Sequence, residues 1–195
     1  MQFATALVHA GREDLHQLGV HALPIDLSTT YPVADLDVGT QSFDALVAGA
    51  ATAENPIYAR LFNPTVARFE QAIAALESTE AAVAFGSGMA AVSACLLAAR
   101  QRGEEILAVR PLYGTSDHSL RSGLLGVRVR FVEVEQIAAS ITPQTGLVFI
   151  ETPANPNLDL IDIAEVVRQA GDVPVLVDST FATPVLQQPA TLGAA

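Results

Sequence analysis

Two regimes of hydrophobic and polar patterning divide the chain. Residues 1 to about 56 show weak periodicity, scattered Pro and Gly, and polar clusters such as "DLSTTYP", which predicts an extended arm with one short helix near Gln41–Ala51. From Asn63 the pattern tightens. "NPTVARFEQAIAALES" offers Asn63 as N-cap, Pro64 at the first helical position, and Val66, Phe69, Ile73 and Leu76 at helical spacing. Short apolar runs then alternate with helical segments. Strands are predicted at Ala81–Phe85, Ile106–Val109, Val127–Val134, Leu147–Glu151 and Val173–Asp178, with helices near 88–101, 114–125, 136–141 and 160–170 and another starting at Pro189. This alternation, with near-continuous apolar strands, predicts an α/β fold: a mostly parallel sheet with helices on both faces. Ligands of such sheets bind beyond the carboxyl ends of the strands.

Composition adds five points. At 195 residues, half of them hydrophobic, the chain falls in the single-domain range with a substantial core. The high apolar share fits either surface covered by a partner chain or further sequence, or an alanine-rich soluble domain. A net charge of -11 repels phosphate backbones and anionic lipid, so neither nucleic acid nor a membrane surface is expected as a partner. The longest apolar run, Ala90–Ala99, is too short to span a bilayer, and the first residues lack a secretory pattern, so a cytoplasmic location is expected. Cys95 is the single cysteine, cannot form an intrachain disulfide, and is expected to pack in the core. All ten basic residues are arginine, so chemistry that needs a lysine amine cannot be completed by these residues.

The strand ends carry the candidate chemistry. "GSGMAA", Gly86–Ala91, follows an apolar run and opens a helix, a pattern that suits an anion at the turn. It also fits the glycine pattern of a dinucleotide site, with Arg110 at the end of the next strand able to accept the extra phosphate of NADP; a purely structural turn is the third reading. Asp178 ends "VPVLVD", where a carboxylate either caps a turn or pairs with a cationic ring nitrogen. In "ETPANPNLDL", Glu151 closes a strand, Asn157 shapes the turn, and Asn155 lies in a proline-stiffened loop from which its amide can donate to a phenolate-type oxygen. Tyr113 in "RPLYGT" is either a half-buried packing residue or an aromatic plate for a planar ligand. Together these residues describe a flat, phosphorylated heteroaromatic cofactor.

Several ordered motifs then resemble one family, the pyridoxal phosphate enzymes of cysteine and methionine metabolism, which includes cystathionine gamma-synthase, cystathionine gamma-lyase and methionine gamma-lyase. The likeness runs through "STTYP" (28–32), "YARLFNPT" (58–65), "GSGMAA", "YGT", "ETPANPN" and "VDSTFATPVLQQP". It implies an aspartate aminotransferase-like large domain of fold type I, with residues 1–56 as arm and 57–195 as the cofactor-binding domain. It implies pyridoxal 5'-phosphate as cofactor, an amino-acid substrate, and a homotetramer in which Tyr58 and Arg60 reach the cofactor phosphate of a neighbouring subunit. By the same resemblance Gly88 and Met89 are backbone donors to the phosphate, Tyr113 stacks on the ring and carries protons, Asn155 donates to the phenolic oxygen, Asp178 pairs with the ring nitrogen, and Thr180 joins the cofactor-binding set.

The implied activity is gamma-elimination or gamma-replacement on sulfur amino acids or activated homoserine. Beta-elimination of the cystathionine beta-lyase type, a non-catalytic fragment, and an NADP-binding enzyme are the alternatives. Two departures matter. Ser179 replaces the family's usual asparagine after the aspartate, and Thr115 stands where methionine gamma-lyases typically carry a cysteine, which argues against that activity. The family's Schiff-base lysine lies shortly beyond "LGA", so the expectation is a domain truncated before it and inactive alone.

Overall fold

The structure is a computed structural model describing residues 2–195; residue 1 of the expected arm lies outside the described residues. Its contacts gather into two compact units, one ending at Ala84 and the other spanning Phe85–Ala195.

The first unit contains α1 (Phe3–His9), α2 (Leu15–Leu18), α3 (Leu36–Val47) and α4 (Pro64–Glu77). The predicted helix near Gln41 begins earlier than expected because Asp35 caps it, accepting from the amides of Asp37 at 2.9 Å and Val38 at 3.0 Å. α4 starts where predicted. The Asn63 side chain accepts from the amides of Thr65 and Val66 at 3.0 and 3.1 Å, and its own amide donates to the Tyr31 hydroxyl at 3.1 Å. One turn on, Arg68 holds Asp14 through two 2.6 Å bonds, which keep the Asp14 carboxyl below the usual range.

The four apolar residues at helical spacing do not form the buried side of α4, Ile73 and Leu76 being only partly buried. Val66 and Phe69 are 44% and 58% exposed, while Ala67 and Ala74 are buried. Close approach explains the reversal: a Cβ at Gly11 would lie 2.7 Å from the Arg68 carbonyl oxygen, and only small residues permit packing that tight. The predicted strand Ala81–Phe85 pairs with no strand among the described residues, and Val83 is 73% exposed. An apolar run becomes a strand only where a neighbour completes its backbone bonds.

The second unit runs α5 (Gly88–Ala99), β1 (Glu105–Ala108), α6 (Gly114–Arg121), β2 (Arg128–Phe131), α7 (Ile137–Ser140), β3 (Thr145–Glu151), α8 (Ile163–Ala170), β4 (Val175–Asp178) and α9 (Thr183–Leu186), with single 3-10 turns at Val134–Gln136 and Pro189–Leu192. The sheet order is β2-β1-β3-β4 and every pairing is parallel. Strand alternation sorts the core into two clusters. Ile106, Ala108, Leu147 and Phe149 pack with Leu96 of α5 and Leu120 of α6, while Leu107, Val148, Ile150 and Val175 pack with Ile137 of α7 and Val166 of α8. Helices therefore cover both faces, as the pattern predicts. Among the described residues, no helix is long and apolar enough to cross a membrane.

Cys95 corrects another expectation, since it is exposed rather than in the core, although partial desolvation still pushes its thiol up. α5 is apolar on all sides, but of its residues only Leu96 and Ala99 are buried. A uniform apolar run does not state which side will be covered.

At the amino rim of the sheet, a Cβ at Gly146 would lie 2.6 Å from the Ala99 carbonyl oxygen and 2.8 Å from the Gly103 nitrogen. Gly146→Ala is therefore expected to destabilise the protein by about 1–3 kcal/mol, read from the urea unfolding midpoint. A parent-like midpoint would mean that this junction is looser than described.

Candidate functional site

All four strands point their carboxyl ends the same way, and the loops leaving β1, β3 and β4 meet the start of α5 around a cavity of about 350 Å³. Gly88, Met89, Tyr113, Asn155, Asp178 and Thr180, six of the sequence-predicted residues, line it. Tyr58 and Arg60 belong to the first unit, where Tyr58 bridges to Thr30 and the Arg60 guanidinium lies 5.2 Å from the centre of the Tyr58 ring. No carboxylate pairs with Arg60 among the described residues.

The wall formed by α5 presents donors. Ser87 is the N-cap, and its hydroxyl accepts from the Ala90 amide at 3.1 Å. The amides of Gly88 and Met89 have no hydrogen-bond partner among the described residues, the usual condition of a helix's first turn and one suited to anions.

β4 delivers Asp178. Its Oδ1 accepts from the Thr180 hydroxyl at 2.5 Å and the Thr180 amide at 3.1 Å, an arrangement that fixes the carboxylate plane and leaves Oδ2 without a protein donor. Both roles weighed for this residue are thus compatible: one oxygen shapes the turn and the other is available. Ser179, the departure from the family pattern, accepts from Gln187 Nε2 at 2.9 Å, and the same nitrogen donates to the Thr152 carbonyl at 2.8 Å. That amide ties the exits of β3 and β4 together.

The loop after β3 folds back on itself, with an isolated bridge between Ala154 and Asp159, and presents Asn155 with its side-chain amide unpaired among the described residues. Tyr113 follows β1 at the N-cap of α6 and is 43% exposed, its ring on the cavity wall. The segment around it is pinned from the side. Asp117 accepts from Arg110 at 2.7 Å and Arg121 at 2.6 Å, and Arg110 stacks 3.7 Å from the Phe131 ring centre. Burial alone would push Asp117 up, but the two guanidinium groups prevail and hold it below the usual carboxylate range. Arg110 is consequently occupied, which removes the residue on which the NADP reading depended. Thr115 is exposed and does not line the cavity.

Ser87, Val92, Glu151 and Phe181 also line the cavity without having been predicted there. The Ser-before-helix signal was available for Ser87 and the strand-end position for Glu151; nothing local distinguished Val92 or Phe181. A flat phosphorylated heterocycle fits this donor set: free helix-start amides for an anion, an unpaired carboxylate oxygen for a cationic nitrogen, an unpaired amide for a phenolic oxygen, and exposed aromatic faces at Tyr113 and Phe181.

Comparison with known proteins identifies relatives of this chain. The sequence model of the Cys/Met metabolism PLP-dependent enzymes matches residues 4–195. An L-methionine gamma-lyase of Streptomyces avermitilis is 55% identical over 192 residues, covering 97% of this chain and 46% of that protein. One from Brevibacterium aurantiacum is 54% identical over 98% of this chain and 48% of its own length. Among solved structures, a cystathionine gamma-lyase from Micromonospora echinospora superimposes with a TM-score of 0.83 at 38% identity, over all of this chain and 49% of that one. The chain spans about half the length of the relatives it matches.

Proposed function

This chain belongs to the Cys/Met metabolism PLP-dependent enzymes, and we propose that it is the cofactor-holding part of a carbon–sulfur lyase that eliminates the gamma substituent of a sulfur amino acid. The observation that carries this reading is the convergence of Gly88, Tyr113, Asn155 and Asp178 on one cavity. The relatives at 54–55% identity are L-methionine gamma-lyases, and Thr115 lies off the cavity wall, so a methionine-type substrate is preferred over the argument from Thr115.

Pyridoxal phosphate, when bound, supplies an electron-poor ring that accepts negative charge from the substrate's alpha carbon. The Gly88 and Met89 amides hold the phosphate at the positive end of α5. Asp178 Oδ2 keeps a proton on the ring nitrogen, and Thr180 fixes the orientation of that carboxylate. Asn155 donates to the phenolic oxygen. Tyr113 covers one ring face, and its hydroxyl passes a proton to the departing sulfur. Tyr58 and Arg60 serve the phosphate of a neighbouring subunit; the support is a guanidinium free of carboxylates among the described residues, whose planar fork suits phosphate oxygens. The lysine amine of the family's chemistry is not among these 195 residues, so the chain is expected to bind the cofactor reversibly and to turn nothing over alone.

Thermal melting tests the reading. Pyridoxal phosphate at about 100 times its Kd should stabilise the protein by about 2.7 kcal/mol, and NADP should not. A shift with NADP and none with pyridoxal phosphate would overturn the assignment.

A further inference from the structure

The most enclosed charged group on the cavity wall has no part in the reading above. Glu151 is 4% exposed, ends β3, and is paired in register with Asp178 on β4. Its two oxygens do different jobs. Oε1 accepts from the Asn155 amide at 2.8 Å, and Oε2 accepts from the Tyr113 amide in a short bond. Those amides lie on separate loops, one leaving β3 and the other leaving β1, and neither has another hydrogen-bond partner among the described residues.

We infer that Glu151 is a positioning residue: its buried carboxylate ties together the two loops that present Tyr113 and Asn155, and so sets both side chains relative to Asp178. This inference rests on the cofactor reading above. The residue type follows from the geometry. Two converging N–H groups need two acceptors in one plane and no donor, which among side chains only a carboxylate supplies. Glutamine has the same shape but one acceptor, and turning its amide over only exchanges which loop faces the NH2 group. A shorter aspartate retreats by one methylene from both partners. The strand also matters, because β3 is interior to the sheet and buried along its whole length, so the clamp stands on a fully enclosed strand.

The test uses Glu151→Gln and the parent protein, each titrated with pyridoxal phosphate. In the variant we expect roughly tenfold weaker cofactor binding, the size of one lost charge-assisted hydrogen bond. The circular dichroism of the bound cofactor's absorption band, which reports ring orientation, should fall markedly, while the cofactor-free variant melts near the parent. In the parent, the backbone amides of Tyr113 and Asn155 should exchange hydrogen far more slowly than open-loop amides. Parent-like affinity and dichroism in a folded variant would overturn the inference, as would a change confined to melting temperature. If the variant does not fold, the parent's exchange rates decide: fast exchange at both amides refutes the clamp, and slow exchange at both supports it. A parent that binds no pyridoxal phosphate would instead sink the underlying site assignment, and the inference with it.

Discussion

In the lysine-bearing enzyme of which this chain is proposed to be the cofactor-holding part, Asp178→Asn is expected to lower kcat by about 10²–10³-fold with little change in folding, the range seen when one aligned electrostatic group is removed from an active site. The two oxygens of Asp178 allow this separation. Oδ1 accepts from the Thr180 hydroxyl and amide, and the asparagine carbonyl can keep both bonds. Oδ2 has no donor among the described residues, so the carboxylate's negative charge at that free oxygen is what the variant deletes. On the proposed reading, the ring nitrogen of the bound cofactor would then lose the partner that keeps it protonated, and the ring would withdraw electrons less strongly. Steady-state kinetics alongside a melting curve separates the effects. Activity within a few-fold of the parent would show that Asp178 serves only the turn.

Phe149→Ala has the largest expected effect on stability, about 3–5 kcal/mol, because Phe149 is fully buried and the cavity left behind cannot collapse. It sits on central β3, with Ala108 and Leu176 as its register partners on either side and Leu96 and Leu120 in the same cluster. A domain typically has about 5–15 kcal/mol in total, so the variant should lose much of its margin. Urea unfolding measures it. A loss below about 1 kcal/mol would mean that α5 and α6 do not close over this side chain as described.

What was legible in the sequence was whatever depends on neighbours along the chain. Asn63 and Pro64 announced α4 because capping involves residues three apart. The sheet strands announced themselves because a parallel sheet buries both faces and leaves unbroken apolar runs, seen most fully in β3. Features that need a distant partner were not legible. Ala81–Phe85 has the composition of a strand but no described neighbour to pair with. Val66 and Phe69 occupy helical spacing, yet the packed side of α4 is made of alanines. The same division runs through the site. Gly88, Tyr113, Asn155 and Asp178 could be singled out because turns and strand ends mark them locally, and they line one cavity, whereas the Glu151 clamp joins residues 38 apart in sequence and shows only once the loops are folded.

The uniform direction of the four strands has a consequence for how substitutions would sort. Every strand starts at one rim and finishes at the other, and the cavity lies entirely at the finishing rim. Changes near Gly146 act through the abundance of folded molecules, whereas changes at Tyr113, Asn155 or Asp178 alter the cavity wall itself. The lining of the cavity is thus free to drift at one end of the sheet while selection for yield polices the other.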